Sequence, residues 1–224
     1  VSNYASIVFG IKAKRIDLAF VGPLNYVILN KNTGAYPLTS AIRFGQAGYH
    51  SLMITRKDSK IKQIADLKGK KFVFGDVLST SSTLYPKKML QEAGLNLKQD
   101  IKSAKLGNAS AIVIAVMQGT VDAGSIYKDA RENSEVLERF PNILDETIII
   151  AESELIPADP QIVGKHISKP QAEILKKGLI AISQKAESKK ILKSLFLIDE
   201  LIPASDQDYD GLREVILSVN PDLL

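Results

Sequence analysis

The sequence predicts an α/β protein of two lobes with a central ligand cleft. Three observations point to it. Short apolar runs bounded by glycine and proline alternate with segments of helical periodicity, which is the grammar of βαβ units. That grammar occurs twice, once before residue 60 and again from Phe72 to Ile126, without detectable repetition of sequence. Between Lys68 and Gly94 the order is strand, glycine turn, a run of hydroxyls, then helix. Ligands in such folds lie at strand ends near helix starts, so the hydroxyl run is expected to face the cleft.

Taken in order, Tyr4, Ile7, Val8 and Ile11 fall at helical spacing, and Lys12 to Arg15 forms a basic last turn. Ile16 to Val21 reads as a buried strand stopped by Gly22-Pro23. Pro23 suits the first position of a short helix through Leu29, where a missing NH costs nothing. Lys31 to Gly34 is a turn. Thr39 to Ile42 and Tyr49 to Thr55 read as two further strands, and Ile61, Ile64 and Leu67 mark a small helix. Residues 1–60 are assigned to lobe I, 61–148 to lobe II, and 149–224 to the second part of lobe I.

Phe72-Val73-Phe74 is the next strand, and a helix runs from Tyr85 to Ala93. A short segment at Ala104-Lys105-Leu106 precedes a helix from Ala109 to Met117, with Ile112, Val113 and Val116 on one face, and a strand from Val121 to Ile126. This alternation predicts a largely parallel sheet with right-handed crossovers. Three successive isoleucines make Thr147 to Ala151 a buried strand. Two prolines in Leu155 to Pro160 argue against a continuous helix there. Ser168-Lys169-Pro170-Gln171 is a capping box opening a helix with Leu175, Leu179 and Ile182 on one side. Leu212, Val215, Ile216 and Val219 mark a terminal helix.

At 224 residues, 45% hydrophobic and 24% charged, the chain can bury a sizeable core. Its +4 charge mixes 29 basic with 25 acidic residues, aromatics are 6% and tryptophan is absent, so a nucleic-acid surface has no support. Lys68, Lys70 and Lys71 read as a solvated basic face. Without cysteine there is neither disulfide nor thiolate chemistry. No apolar run approaches the ~20 residues of a membrane span. No signal peptide opens the chain, and a start at Val1 without methionine reads as a processed or incompletely covered product.

The first NH groups of a helix have no partner within it, and its aligned dipoles leave partial positive charge there, so an oxyanion is attracted. One hydroxyl would suffice for capping; Ser79-Thr80-Ser81-Ser82-Thr83 supplies five. An anion site and a hydroxyl-rich cap are both open readings. Pro86, lacking an NH, shifts the expected cap towards Ser82 or Thr83. The only histidines, His50 and His166, lie in no nucleophile or metal motif. P-loop and dinucleotide glycine signatures are missing as well. The expectation is binding rather than turnover, with no catalytic residue, cofactor or metal.

Several segments carry a resemblance: Asp17 to Tyr26, Tyr49-His50-Ser51, Ala65 to Lys70, Ser79 to Ser82, Ala115 to Gly124, and Leu155-Ile156-Pro157. Over nearly its whole length the chain resembles the phosphate/phosphite/phosphonate-binding subunits of bacterial ABC importers. The resemblance implies a type II periplasmic-binding-protein fold and delivery of a small phosphorus oxyanion to a membrane permease. It implies a periplasmic or extracytoplasmic protein, free or lipid-anchored. It also implies that Ser79, Thr80, Ser81 and Ser82 with adjoining amides hold the oxyanion, helped by Tyr49, and that an acidic residue in the region of Tyr127 to Asp129, or near Asp159, faces the rest of the ligand. Many relatives carry a histidine where Ala109 stands, so one oxyanion donor is missing or replaced. The family's first strand and helix, with any secretion signal, are expected before Val1. Two rivals stay open: an enzyme acting on a phosphorylated substrate at the same helix start, and a ligand-sensing domain of the same fold with an attached output module.

Overall fold

The computed structural model describes residues 4–224, with side chains from residue 6 onward. Val1 to Asn3, and the Tyr4 side chain placed at the head of the first helix, lie outside the described residues. The chain divides into two compact units, Val1–Tyr49 with Pro157–Leu224 and His50–Ile156. The sequence boundaries at 60 and 148 are therefore corrected. Residues 50–60 and 149–156 carry inner and edge strands of the second unit's sheet, so they count with it.

The first unit contains α1 (Tyr4–Lys12), β1 (Leu18–Phe20), α2 (Pro23–Thr33) and β2 (Tyr36–Ile42). Gly34 ends α2 at a left-handed φ of 67°, its NH returning to the Asn30 carbonyl at 2.8 Å, so the helix runs one turn past the expected Leu29. β3 (Gly48–Tyr49) follows, and β4 (Ser51–Arg56) begins the second unit; the single strand expected over 49–55 breaks at His50.

The second unit continues with β5 (Lys71–Phe74), α3 (Tyr85–Glu92), β6 (Lys102–Lys105), α4 (Ala109–Met117), β7 (Ala123–Tyr127), α5 (Ser134–Leu137), α6 (Ile143–Glu146) and β8 (Thr147–Glu152). Its strand order is β6-β5-β7-β4-β8. β6, β5 and β7 are parallel, whereas β4 pairs antiparallel with β7 and with β8. The crossover argument holds for the three strands joined through α3 and α4. It fails for β4 and β8, which no crossover helix ties to the sheet. β8 is an edge strand with Ile149 40% exposed, so the expectation of a buried strand is corrected. Against the sheet, Ile112, Val113 and Val116 of α4 pack with Leu52, Ile54, Val73 and Ile126. A Cβ on Gly124 would stand 2.5 Å from Ile112 and 2.7 Å from Val73, so only glycine lets α4 approach that closely.

The chain then returns to the first unit. It passes through β9 (Ile156–Pro157), which pairs with β3, then β10 (Pro160–Val163), α7 (Lys169–Gln184), α8 (Ala186–Phe196), β11 (Glu200–Pro203) and α9 (Asp210–Val219). The order β1-β10-β2-β11 is antiparallel at every pairing. β1 and β2 thus run the same way with β10 inserted between them, which corrects the largely parallel expectation for this unit. The Ser168 and Gln171 capping box opens α7 as expected. Leu175 and Leu179 pack on Leu38, Val163 and Ala172, but Ile182 is 52% exposed. Tyr26 of α2 donates to Asp206, which Arg213 of α9 also engages at 2.5 Å, and stacks edge-on against Tyr209 at 4.6 Å. α2 and α9 are held together by this group.

Candidate ligand-binding site

The hydroxyl run follows the carboxyl end of β5, after the turn at Gly75 and Asp76. Ser79 is the cap, its Oγ accepting the Ser82 NH at 3.1 Å, and Thr80–Leu84 forms a π-helical turn that leads directly into α3. The cap expected at Ser82 or Thr83 is thereby corrected. The wider turn accommodates Pro86: Leu84 and Tyr85 donate five residues back, to the Ser79 and Thr80 carbonyls.

Pro86 cannot donate, so the Ser82 carbonyl four residues before it and the Ser81 carbonyl five before it lose that helical partner. Other parts of the sheet supply donors instead. The Ser82 carbonyl accepts the Gly75 NH at 2.9 Å and Ser125 Oγ of β7 at 2.8 Å. The Ser81 carbonyl accepts Ser51 Oγ of β4 at 2.5 Å. Two strands and the turn after β5 thus grip the carbonyl side of the run. Gly75 is required for this approach, since a Cβ there would lie 2.5 Å from Ser82 Cβ. Thr80 to Thr83 are buried, and Thr83 Oγ1 is a buried hydroxyl with no hydrogen-bond partner among the described residues. Such orphans are rare unless a water or ligand completes them.

Ser51 and Ser125 were missed by the sequence reading as parts of this site. The available signal was a serine at the start (Ser51) or in the middle (Ser125) of a strand of mainly apolar residues, which is tolerated when buried only with a partner. Both are fully buried.

The other expected residues divide between the units. Tyr127, at the end of β7, donates to Asn133 Oδ1 at 2.8 Å, and Asn133 Nδ2 donates to Ser110 Oγ at 3.1 Å on the first turn of α4. Asp129 binds Arg131 through both carboxylate oxygens, with Nε at 2.9 and 3.0 Å and Nη2 at 2.5 Å. With Ser79 to Ser82 these lie in the second unit. Tyr49 and Asp159 belong to the first, where Asp159 pairs with Arg43. Ala109 opens α4 behind the Asn108 cap, which accepts the Ala111 NH at 2.8 Å, and packs on the apolar cluster.

Charge around the run is modest. Burial, and then Glu154, push the Tyr85 phenol up to about 12. Burial, and then Lys105, lower Lys87 from its ordinary value. His50 meets the Ser153 carbonyl at 2.8 Å and His166 meets Asp17 at 2.7 Å, so both rings have structural partners. No cluster suited to a metal occurs among the described residues.

The sequence model for the periplasmic substrate-binding protein of phosphonate ABC transporters matches residues 1–209. The chain belongs to that family. The phosphate-import protein PhnD of Mycolicibacterium smegmatis is 30% identical over 96% of this chain and 72% of its own length. The probable phosphite-binding protein PhnD1 of Prochlorococcus marinus is 25% identical over 98% of this chain and 77% of its own. In structure, the chain superposes with a TM-score of 0.82 on PhnD1 from P. marinus in complex with methylphosphonate, covering 98% of this chain and 84% of that one at 24% identity. A phosphonate-transporter binding component from Pseudomonas aeruginosa gives a TM-score of 0.84, covering 97% and 73%, also at 24% identity. At that identity the likeness establishes the periplasmic-binding-protein fold. Membership makes the chain a solute-binding component of an ABC transporter rather than an enzyme. No described helix is long and apolar enough to cross a membrane.

Proposed function

We propose that the protein captures a small phosphorus oxyanion, namely phosphite, a phosphonate or phosphate, outside the cytoplasm and delivers it to a membrane permease. In this reading the oxyanion is held by the Thr80, Ser81 and Ser82 hydroxyls and by amides at the start of the helix, with Ser79 shaping the turn as its cap. The observation that carries it is the grip on the Ser81 and Ser82 carbonyls by Ser51, Gly75 and Ser125. Acceptors that would repel an anion are turned into the sheet at the carboxyl end of β5, which leaves the start of the helix to attract one. Tyr49, Tyr127, Asp129 and Asp159 are assigned to the surroundings of the substituent on phosphorus. The protein works free or lipid-anchored and uses no cofactor.

Calorimetric titration with phosphite, methylphosphonate and phosphate, followed by recovery of the ligand, tests this. Saturable binding with the ligand unchanged is expected. Absence of binding by all three, or chemical conversion of any, contradicts it.

A further inference from the structure

Two helices that pack on the first unit's sheet carry a charge and an apolar surface that oxyanion capture does not use. α7 and α8 follow one another with only Lys185 between them. Residues 169–196 hold seven lysines and two glutamates, a balance of +5 in a chain whose total is +4, so the rest of the molecule is slightly acidic. Lys169, Lys185, Lys189 and Lys190 are exposed and meet no carboxylate among the described residues, while Lys177 reaches Glu173 only at 3.9 Å and Lys193 pairs with Asp199. Leu175 and Leu179 fix α7 against Leu38, Val163 and Ala172, and Leu192 of α8 packs on Ala41, Ile198 and Leu201. No residue of α8 is buried. Ile174 of α7 is 71% exposed, and Ile191 and Leu195, one turn apart on α8, are 56% and 67% exposed. Phe196 ends α8 equally open to solvent, its ring 6.3 Å from that of the exposed Phe20.

We propose that the exposed side of α7 and α8 docks on an anionic lipid surface, with the lysines on headgroup phosphates and the isoleucine, leucine and phenylalanine side chains at the acyl boundary. Charge complementarity selects this occupant. A helix that sets lysines beside uncovered aliphatic side chains is suited to lie in a membrane interface, and clustered lysines add attraction to acidic headgroups. A protein partner fits less well, because the cores of protein interfaces are depleted in lysine, whereas here lysines are interleaved with the apolar groups. Exposed apolar residues scattered over a surface carry no such meaning. Here they coincide with a helical pair that holds all of the molecule's net positive charge. A substrate-binding component of an ABC transporter works beside a membrane, so such a surface is within its reach.

Flotation of the intact chain with vesicles of phosphatidylcholine alone, and with vesicles that also contain phosphatidylglycerol, tests it. Binding is expected only to the acidic vesicles, and is expected to weaken as salt is raised and the charges are screened. Lys189→Glu with Lys190→Glu should lower the partition coefficient at least about tenfold, and Ile191→Ser with Leu195→Ser severalfold. Lys70→Glu with Lys102→Glu makes the same change of charge on the second unit and should keep most of the binding. All six side chains are exposed, so the variants are expected to fold. No binding to acidic vesicles, equal binding to both kinds, an equal loss in the second-unit variant, or full binding by the Lys189 and Lys190 variant overturns the inference. So does recruitment only to vesicles that also carry the transporter's membrane subunits, which gives the surface to a protein partner instead.

Discussion

Pro86 is a residue that acts by what it lacks. Its missing NH leaves the Ser81 and Ser82 carbonyls to Ser51, Gly75 and Ser125, and that exchange fixes the hydroxyl run to the sheet. Ser125→Ala removes one of two donors to the Ser82 carbonyl, and Ser51→Ala removes the donor to Ser81. Each is expected to cost about 1 kcal/mol of stability, read as a lower urea midpoint at unchanged slope. Each should also weaken oxyanion binding by loosening the run. The run itself was legible in the sequence because five adjacent hydroxyls exceed what capping needs. Its grip was not, since Ser51 and Ser125 lie 30 and 43 residues from their carbonyl partners and arrive only through strand pairing.

At the scale of elements, the turn that carries the proposed site is π-helical and continuous with α3. Sequence reasoning placed the cap too late because it fitted Pro86 into the first turn of an α-helix. The structure keeps Ser79 as cap and widens the turn. Pro86→Ala restores an NH that can compete for the Ser82 carbonyl in α geometry. Affinity for methylphosphonate is expected to fall severalfold while stability changes by no more than about 1 kcal/mol; a parallel loss of both, by titration and urea melts, would contradict this role. The βαβ pattern was legible for β5, α3, β6, α4 and β7, whose connections are local. It was misleading for β4, β8 and the whole first sheet, where distant segments run antiparallel to their neighbours.

For the whole molecule, buried phenols set a stability limit at high pH. Burial raises Tyr85 to about 12, with Glu154 adding to the shift. Burial also raises Tyr26, reinforced by its hydrogen bond to Asp206, and Tyr209, reinforced by Asp159 and Asp208. An unfolded phenol ionises near 10, so above that pH the unfolded chain has fewer bound protons than the folded one, and stability falls as pH rises. This contribution is intact below about pH 10 and, for Tyr85, is lost on rising to about 12. Tyrosinate absorbance should show these three of the seven tyrosines resisting ionisation until the protein unfolds. Ionisation of all seven near pH 10 with circular dichroism unchanged would contradict it.

The family was legible across the chain because its motifs sit on the local units that form β1, β4, β5 and β7. The pairing of Asp129 and Asp159 with arginines was not, because side-chain partnership leaves no periodic trace. The central claim is that Thr80 and Ser81 donate to the captured oxyanion. It is tested most directly by calorimetric titration of phosphite and methylphosphonate into the unaltered chain and into Thr80→Val and Ser81→Ala. Each variant should bind about tenfold to a hundredfold more weakly, the loss of one charge-assisted hydrogen bond. Affinities unchanged in both variants, with the fold intact, would contradict it.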